Sequence, residues 1–295
     1  MTAFIFGLGH SSLEFVRLCG AAYAPLAGTV RGPHKAARLS ADGLVAPMLF
    51  SPDMRDEAIA PALAEARFLL VSIPPSETGD PVLNAYADEI ADAPRLERIV
   101  YLSTIGVYGD HGGAWIDETT QPRPVAGRST LRLAAERAWQ DLADTRGCAL
   151  DVLRLSGIYG PGRNALAALA EGTAKRLIKP GQVFNRIHVT DIAQAIHAAF
   201  SATQPGNVYN VTDDEPAPPQ DVVTYAAGIL GVPPPPEQDF AAAQLSPMAR
   251  SFYGENKRVS NARMKRDLNV DLAYPTYREG LRALRDAGEG RASRH

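Results

Sequence analysis

The chain has 295 residues, 45% apolar and 21% charged, which is enough apolar material for a large core. Its formal net charge of −3 argues against a nucleic-acid-binding protein, and no run of about 18 apolar residues predicts a membrane span. Its two cysteines form no Cys-x-x-Cys or Cys/His cluster, so we expect no structural metal; with no leader pattern, we expect a cytoplasmic protein.

The first predicted element is a strand that ends in a glycine turn. Residues 3–6 are mostly bulky and apolar, Gly7 and Gly9 follow, and residues 13–18 carry apolar side chains at helical spacing. This pattern is typical of a dinucleotide-binding unit, whose helix N-terminus binds a pyrophosphate. Ser12 stands where a third glycine is usual, and an ordinary βα loop can show the same turn. The predicted cofactor-binding residues of this turn are Gly7, Leu8, Gly9, His10, Ser11 and Ser12.

Strand and helix patterns alternate through the first half of the chain. Further predicted strands are residues 25–30, 44–50, 68–73, 98–103 and 150–155. Predicted helices are residues 34–41, 56–66, 81–91 and 127–145. A proline within residues 44–50 predicts an edge strand. Apolar strands joined by helices predict an α/β fold with a doubly wound parallel sheet, the Rossmann fold.

The pattern loosens beyond residue 160. Two short strands (187–189 and 207–211) and three helices (190–202, 219–230 and 276–287) are predicted, with Asp191 as a helix cap. We predict a Rossmann domain at 1–160, a smaller substrate-binding cap interleaved with the sheet at 161–287, and a disordered tail at 288–295.

Basic residues follow the second predicted strand, where the adenosine ribose of a dinucleotide would lie. Arg31 is succeeded by Lys35 and Arg38, and no acidic residue lies between Val16 and Ser40. Arginine suits a 2′-phosphate, whereas a carboxylate suits a free 2′-hydroxyl. The pattern therefore predicts NADP(H) over NAD(H), although a solvated basic helix would look the same.

Further along, the sequence resembles the extended short-chain dehydrogenases/reductases of the nucleoside-diphosphate-sugar epimerase/dehydratase type. The matching segments are residues 101–109, 154–162, 186–193 and 209–211, with Glu118 and Pro122 between the first two. The resemblance implies that Thr104 bonds the substrate oxygen. It also implies a Tyr-x-x-x-Lys pair on the next helix, but Arg128 and Arg132 stand at those positions.

This departure predicts an atypical branch of the family. Arginine stays protonated in proteins, so Arg128 is a poor general acid or base, though it could clamp an anionic substrate. Arg132 could bond the nicotinamide ribose. We expect the proton donor to be Tyr108, with Tyr159, His111 or water as alternatives; both tyrosines could instead only pack the pocket wall.

The resemblance implies further contacts. Ser72, Ile73 and Pro74 would lie along the cofactor, and Ile158 and Tyr159 near the nicotinamide. Arg186 and His188 would meet the substrate, unless His188 is a structural histidine. Family members also commonly form a homodimer through the helices that correspond to residues 81–91 and 127–145.

The leading functional hypothesis is an NADP(H)-dependent oxidoreductase. It would transfer a hydride to or from a small carbonyl, hydroxyl or imine substrate. A non-catalytic NADP(H)-binding sensor is the alternative, motivated by the missing Tyr and Lys. A sugar-nucleotide epimerase or dehydratase is a third hypothesis, which the same loss disfavours.

Overall fold

The structure is a computed structural model that describes residues 2–51, 53–125 and 127–290. In these residues, the strands are β1 Ala3–Phe6, β2 Leu26–Val30, β3 Ala46–Ser51, β4 Met54–Arg55, β5 Phe68–Val71, β6 Arg98–Thr104, β7 Trp115–Ile116, β8 Ala149–Leu155, β9 Gly157–Tyr159, β10 Arg176–Ile178, β11 Arg186–His188, β12 Val208–Val211, β13 Glu237–Asp239 and β14 Arg258–Val259. The helices are α1 His10–Cys19, α2 Pro33–Asp42, α3 Ile59–Glu65, α4 Pro81–Asp92, α5 Gly127–Arg146, α6 Ala165–Ala170, α7 Val189–Ser201, α8 Pro219–Leu230, α9 Pro247–Phe252, α10 Ala262–Leu268 and α11 Tyr277–Asp286. Two 3-10 turns are Gly20–Tyr23 and Ile105–Tyr108.

Eight strands of the described chain form the main sheet, in the order β12-β8-β6-β5-β1-β2-β3-β4. Neighbouring strands are parallel except β3 and the two-residue β4, which lies at the edge. The chain begins in the middle of the sheet with β1, winds outward through β2 and β3, and then crosses to β5 on the other side. The predicted doubly wound α/β fold is confirmed, and its topological switch point lies between β1 and β5.

Alternation along the central strands builds a core on each face of the sheet. In β1, Ile5 points into a first cluster beneath α1 and α7, whereas Phe4 and Phe6 point into a second cluster beneath α3, α4 and α5. In β5, Leu70 joins the first cluster and Leu69 the second. Because successive side chains point to opposite faces, a strand covered on both faces must be apolar at every position. The continuous apolar runs of the sequence have this cause.

Beyond residue 160, one segment returns to the main sheet and most of the rest forms a cap. β12 pairs with β8 in the main sheet. A third apolar cluster lies in the cap between α6, α8 and α11, and it includes Leu166, Val222 and Leu281. The predicted domain boundary at residue 160 stays a prediction.

The C-terminal residues reach back to the cap. The carboxylate of Glu289 accepts hydrogen bonds from the amide of Gly162 at 2.9 Å and from Nδ2 of Asn164 at 3.0 Å. Glu289, at the start of the predicted tail, therefore lies against the turn that precedes α6. Residues 291–295 of that tail lie outside the described residues.

Candidate functional site

The glycine turn after β1 has a conformation that requires glycine at its first position. Gly7 has φ +92°, and a Cβ there would lie 2.9 Å from both Ile73 Cγ1 and Ser72 Oγ. Its amide donates to Thr29 Oγ1 at 2.9 Å, which fixes the turn against β2. Ile73 thus packs beneath the turn, while Pro74 is exposed beyond the end of β5.

The start of α1 leaves backbone donors free. Leu13 makes the first helical bond, to Gly9 O at 2.9 Å, and the amides of His10, Ser11 and Ser12 have no acceptor within the described residues. A Cβ on Gly9 would meet nothing within 4 Å, so open space lies beside this helix end. Unpaired amides at the positive end of a helix are suited to an anion.

Ser12 replaces the third glycine without loss of packing. Its side chain is fully buried, and its hydroxyl donates to Ser72 Oγ at 3.0 Å. Ser72 Oγ in turn donates to the carbonyl of Gly7 at 2.7 Å. The two serines therefore tie the start of α1 and the end of β5 to the glycine turn.

Three cations cluster at the end of β2, next to the same turn. Lys35 Nζ donates to the carbonyl of Leu8 at 2.5 Å. Burial lowers the pKa of Lys35, and the nearby charges of Arg38 and Arg31 lower it further. Arg31 is exposed, and its guanidinium has no hydrogen-bond partner within the part of the chain that the structure describes. This cluster is suited to a phosphate placed beyond the glycine turn.

Thr104 ends β6 and caps the 3-10 turn that follows. Its Oγ1 accepts a hydrogen bond from the amide of Gly106 at 3.1 Å, and its own proton remains free to be donated. Ser129 of α5 lies against the same turn: a Cβ on Gly106 would be 2.8 Å from Ser129 Oγ. Ser129 was not among the predicted site residues, although it directly follows Arg128 in the sequence.

The Tyr108 hydroxyl bonds within the protein, and its role as proton donor stays a prediction. The side chain is fully buried, its hydroxyl donates to Asn210 Oδ1 at 2.8 Å, and the Arg154 guanidinium lies 4.8 Å from its ring. Burial raises the pKa of the phenol. The 3-10 turn directs this ring into the interior, where β12 supplies its partner.

A buried polar network beneath the end of β6 was also missed. Ser103 donates to the Glu136 carboxylate. Arg154 donates to the same carboxylate through Nη2 at 2.7 Å and Nε at 3.2 Å. All three side chains are at most 6% exposed. Since a buried ion pair costs much of its attraction in desolvation, we assign it to holding the end of β6 in place.

Arg128 and Arg132 of α5 do not converge on one partner. Arg132 Nη1 donates to the carbonyl of Leu102 at 2.9 Å and to the hydroxyl of Tyr101 at 3.1 Å. Arg128 Nη2 donates to Ser251 Oγ at 3.2 Å, and its guanidinium lies 4.4 Å from the Phe252 ring centroid. Arg132 therefore supports a central strand, while Arg128 contacts the cap at α9.

Tyr159 and Ile158 pack into the protein. The Tyr159 hydroxyl donates to the carbonyl of Thr276 at 3.4 Å, directed toward the start of α11, and its ring packs in the third cluster. Ile158 packs against the first cluster. The cap helices pack over Tyr159, and its expected approach to the nicotinamide stays a prediction.

His188 bonds within the protein and packs against two tyrosine rings. Its Nδ1 accepts from the amide of Thr190 at 3.2 Å, and its ring contacts those of Tyr159 and Tyr274 at 5.0 and 4.2 Å. Burial lowers the pKa of His188 to about 4, so the ring is neutral at pH 7. His188 therefore caps α7. Its Nε2 is buried without a hydrogen-bond partner among the described residues, and its role in substrate binding stays a prediction.

Asp191 does not cap α7, contrary to prediction. Its carboxylate accepts from the amides of Ala273 at 2.6 Å and Tyr274 at 3.2 Å. Burial raises the pKa of Asp191 to about 6. Arg186 also lies away from the glycine turn: its Nη1 donates to the carbonyls of Phe184 and Ala217 at 2.9 and 3.1 Å, and it lines a cavity in the cap.

The fold agrees with comparisons to known proteins. Residues 82–212 match the family described as NAD dependent epimerase/dehydratase. Protein YeeZ of Escherichia coli K12 is 30% identical over 221 residues, 72% of this chain and 74% of that protein. The chain belongs to the NAD-dependent epimerase/dehydratase family.

Two further proteins are similar to this chain over most of its length. A solved structure of a functionally unknown conserved protein from Silicibacter pomeroyi DSS is 47% identical and has a TM-score of 0.89, covering 98% of this chain and 99% of that chain. The 3-diazoavenalumate denitrifying reductase of Streptomyces sp is 29% identical over 213 residues, 67% of this chain and 68% of that enzyme.

The residues around the glycine turn fit the dinucleotide that the family name implies. The three free amides of α1 and the open space beside Gly9 accommodate a pyrophosphate. Among the described residues, no group of three or more His, Cys, Asp or Glu side chains could hold a metal ion. None of the helices in that part of the chain is both long and apolar enough to cross a membrane.

Proposed function

We propose that this protein is an NADP(H)-dependent oxidoreductase that transfers a hydride to or from a small carbonyl, hydroxyl or imine substrate. The observation that supports it best is the pairing of unbonded amides at α1 with the cations at the end of β2. The amides would hold the pyrophosphate. Arg31 would form bidentate, charge-assisted hydrogen bonds with the 2′-phosphate. Lys35, which is bonded to the Leu8 carbonyl, would add a second positive charge nearby.

In this proposal the chain positions the substrate, and the nicotinamide, when bound, supplies or accepts the hydride. Thr104 would donate its free hydroxyl proton in a hydrogen bond to the reacting oxygen or nitrogen of the substrate. The buried network of Ser103, Glu136 and Arg154 would keep Thr104 in register at the end of β6. Arg128 lies at the cap side of the crevice, where it could clamp an anionic substrate group.

The burial of the Tyr108 and Tyr159 phenols restricts the chemistry that this site would favour. Since Tyr108 and Tyr159 are buried, a proton needed by an alkoxide product would come from water. A cationic imine accepts a hydride without needing a proton in the same step. Loss of a diazo group as nitrogen gas likewise requires no proton transfer to a substrate oxygen. The relative named a denitrifying reductase of a diazo compound therefore supports reductive chemistry of this kind.

Cofactor titration tests the proposal. Dissociation constants of NADPH and NADH would be measured by quenching of protein fluorescence for wild type, Arg31→Ala and a control, Arg95→Ala. Arg95 is an exposed arginine paired with Glu65, away from the glycine turn. We expect Arg31→Ala to weaken NADPH binding by roughly 10- to 100-fold, the loss of one or two charged hydrogen bonds, and to leave NADH binding unchanged. Equal binding of the two cofactors by wild type would overturn the NADP(H) preference.

A non-catalytic NADP(H)-binding sensor is the second candidate, and the burial of both phenols specifically favours it. NADPH consumption over a panel of carbonyl and imine acceptors, with Thr104→Ala alongside, separates the two. Turnover that Thr104→Ala reduces supports the oxidoreductase. Tight NADPH binding without turnover on any acceptor supports the sensor.

A further inference from the structure

The cap contains a cavity that the proposed oxidoreductase site does not use. Its volume is about 230 Å³, and it lies between α6, α8, α11 and β11. It shares no lining residue with the glycine turn, the end of β5 or α5. Most of its walls are apolar, and they include Ala165, Val222, Val223, Tyr277 and Leu281.

One charged side chain, Arg186, faces this apolar space. Its Nη1 is held by the carbonyls of Phe184 and Ala217, at 2.9 and 3.1 Å. Its Nε and Nη2 have no partner, and the guanidinium makes no salt bridge, within the described residues. The two carbonyls thus orient the guanidinium, while its Nε and Nη2 donors stay available to a ligand. A guanidinium remains charged in a protein, so these donors are suited to a carboxylate.

Asp213 interacts with Arg186 electrostatically but makes no salt bridge to it among the described residues. Asp213 is 1% exposed, its Oδ1 accepts from the amide of Glu215 at 3.2 Å, and its Oδ2 has no hydrogen-bond partner among the described atoms. Burial raises the pKa of Asp213, and the charge of Arg186 opposes that rise. The cavity therefore presents a guanidinium that has no salt-bridge partner among the described residues.

We propose that this cavity binds a small organic acid with an apolar body. Its carboxylate would accept from Nε and Nη2 of Arg186, and its body would lie against Val222, Leu281 and Tyr277. An apolar cavity of about 150 Å³ is large enough for benzene, so the larger space here takes an aryl ring together with a carboxylate. The site is separate from the dinucleotide crevice and does not depend on the function proposed for it.

The test uses 4-fluorophenylacetate as the probe and fluorine NMR of the full-length protein as the readout. We expect saturable binding of the acid and at least about tenfold weaker binding of the neutral 2-(4-fluorophenyl)ethanol, because the alcohol cannot form a charge-paired hydrogen bond with Arg186. Arg186→Met should abolish the preference for the acid. Val222→Phe, which fills the cavity and leaves Arg186 in place, should abolish binding of both probes.

A control and a second titration separate the outcomes. Arg282→Met removes an exposed arginine of α11 that is paired with Glu279, and it should leave acid binding unchanged. Equal binding of acid and alcohol by wild type, or acid binding that survives Val222→Phe, would overturn the proposal. NADPH titration of the same proteins distinguishes failure of one proposal from failure of the other. Acid binding without NADPH binding would refute only the oxidoreductase. NADPH binding without acid binding would refute only the cap site.

Discussion

The two ends of the candidate site differ in whether their polar groups are hydrogen-bonded. At the glycine-turn end, defined by residues 7–12 with Arg31 and Lys35, three amides and one guanidinium have no partner among the described residues. At the β6 end, defined by Thr104, Tyr108 and the Ser103–Glu136–Arg154 network, the phenol, the carboxylate and the guanidinium bond to other protein groups. Free donors suit a ligand, whereas satisfied buried groups fix a local geometry. The glycine-turn end is therefore suited to a ligand. At the β6 end, Thr104 retains a proton to donate among the described residues, while the bonded groups around it hold the local geometry.

The largest expected effect is on the β6 end. Glu136→Ala leaves the Arg154 guanidinium buried without its counter-ion, so we expect the free energy of unfolding to fall by about 3–5 kcal/mol in urea denaturation. Glu97→Ala, which breaks an exposed pair with Arg67, is the matched control and should cost no more than about 1 kcal/mol. Similar losses in the two variants would contradict a structural role for the network.

A pH dependence should follow from the histidine that caps α7. Because burial lowers the pKa of His188 from 6.5 to about 4, the unfolded chain binds more protons than the folded chain between these pH values. Stability from this group is complete above pH 6.5 and is lost as the pH falls toward 4, by about 2–3 kcal/mol.

Urea unfolding of wild type and His188→Asn from pH 7 to 4 measures this effect. Asparagine retains a capping side chain without a titrating group, so the variant should lose less stability on acidification. Asp191, with its pKa raised to about 6, acts in the opposite sense, losing stability as the pH rises from about 4 to 6. It is present in both proteins and cancels in the comparison. Parallel pH profiles would show that His188 does not titrate as described.

Two glycine substitutions sharpen the description of the glycine-turn end. Gly9→Ala places a methyl group in the open space beside α1, so we expect NADPH affinity to fall about tenfold or more while stability changes by less than about 1 kcal/mol. Gly7→Ala places a Cβ at positive φ against Ile73 and Ser72, and it should also cost about 1–3 kcal/mol of stability. Unchanged NADPH affinity in Gly9→Ala would remove the cofactor from this end.

The smallest effect is expected at Tyr108. Tyr108→Phe removes one hydrogen bond to Asn210, so it should lower the free energy of unfolding by about 1 kcal/mol. Turnover of an acceptor from the panel should be unchanged, since loss of a general acid would cost about 100-fold or more. A loss of that size would show that Tyr108 is the proton donor, and would contradict a purely structural role for this phenol at the β6 end.

Local sequence patterns predicted most of the main sheet and the turn. The predicted strands 25–30, 68–73, 98–103 and 150–155 lie within two residues of the observed ones, because a strand covered on both faces must be apolar throughout. α3 begins three residues later than predicted. The Asp56 carboxylate accepts from the amide of Ala58 at 3.0 Å and so forms a turn before the helix.

Hydrogen-bond partners that are distant in the sequence account for the differences between the expected and the observed positions of site residues. Tyr108 was expected to face the crevice, but its hydroxyl partner Asn210 comes from β12, about a hundred residues downstream. Asp191 was expected to cap α7, but amides of a loop 82 residues away engage its carboxylate, and His188 caps the helix instead. No local pattern encodes such pairings, since the same residue types satisfy either arrangement.

The return of β12 to the main sheet limits how the protein can be divided. β8 spans seven residues, and β12 pairs along Val152–Leu155 as the edge strand. A fragment truncated at residue 160 would leave that side of β8 bare, with unpaired amides and carbonyls that invite aggregation through strand addition. Grafting a foreign specificity module onto this scaffold must therefore retain residues 208–211 from the host.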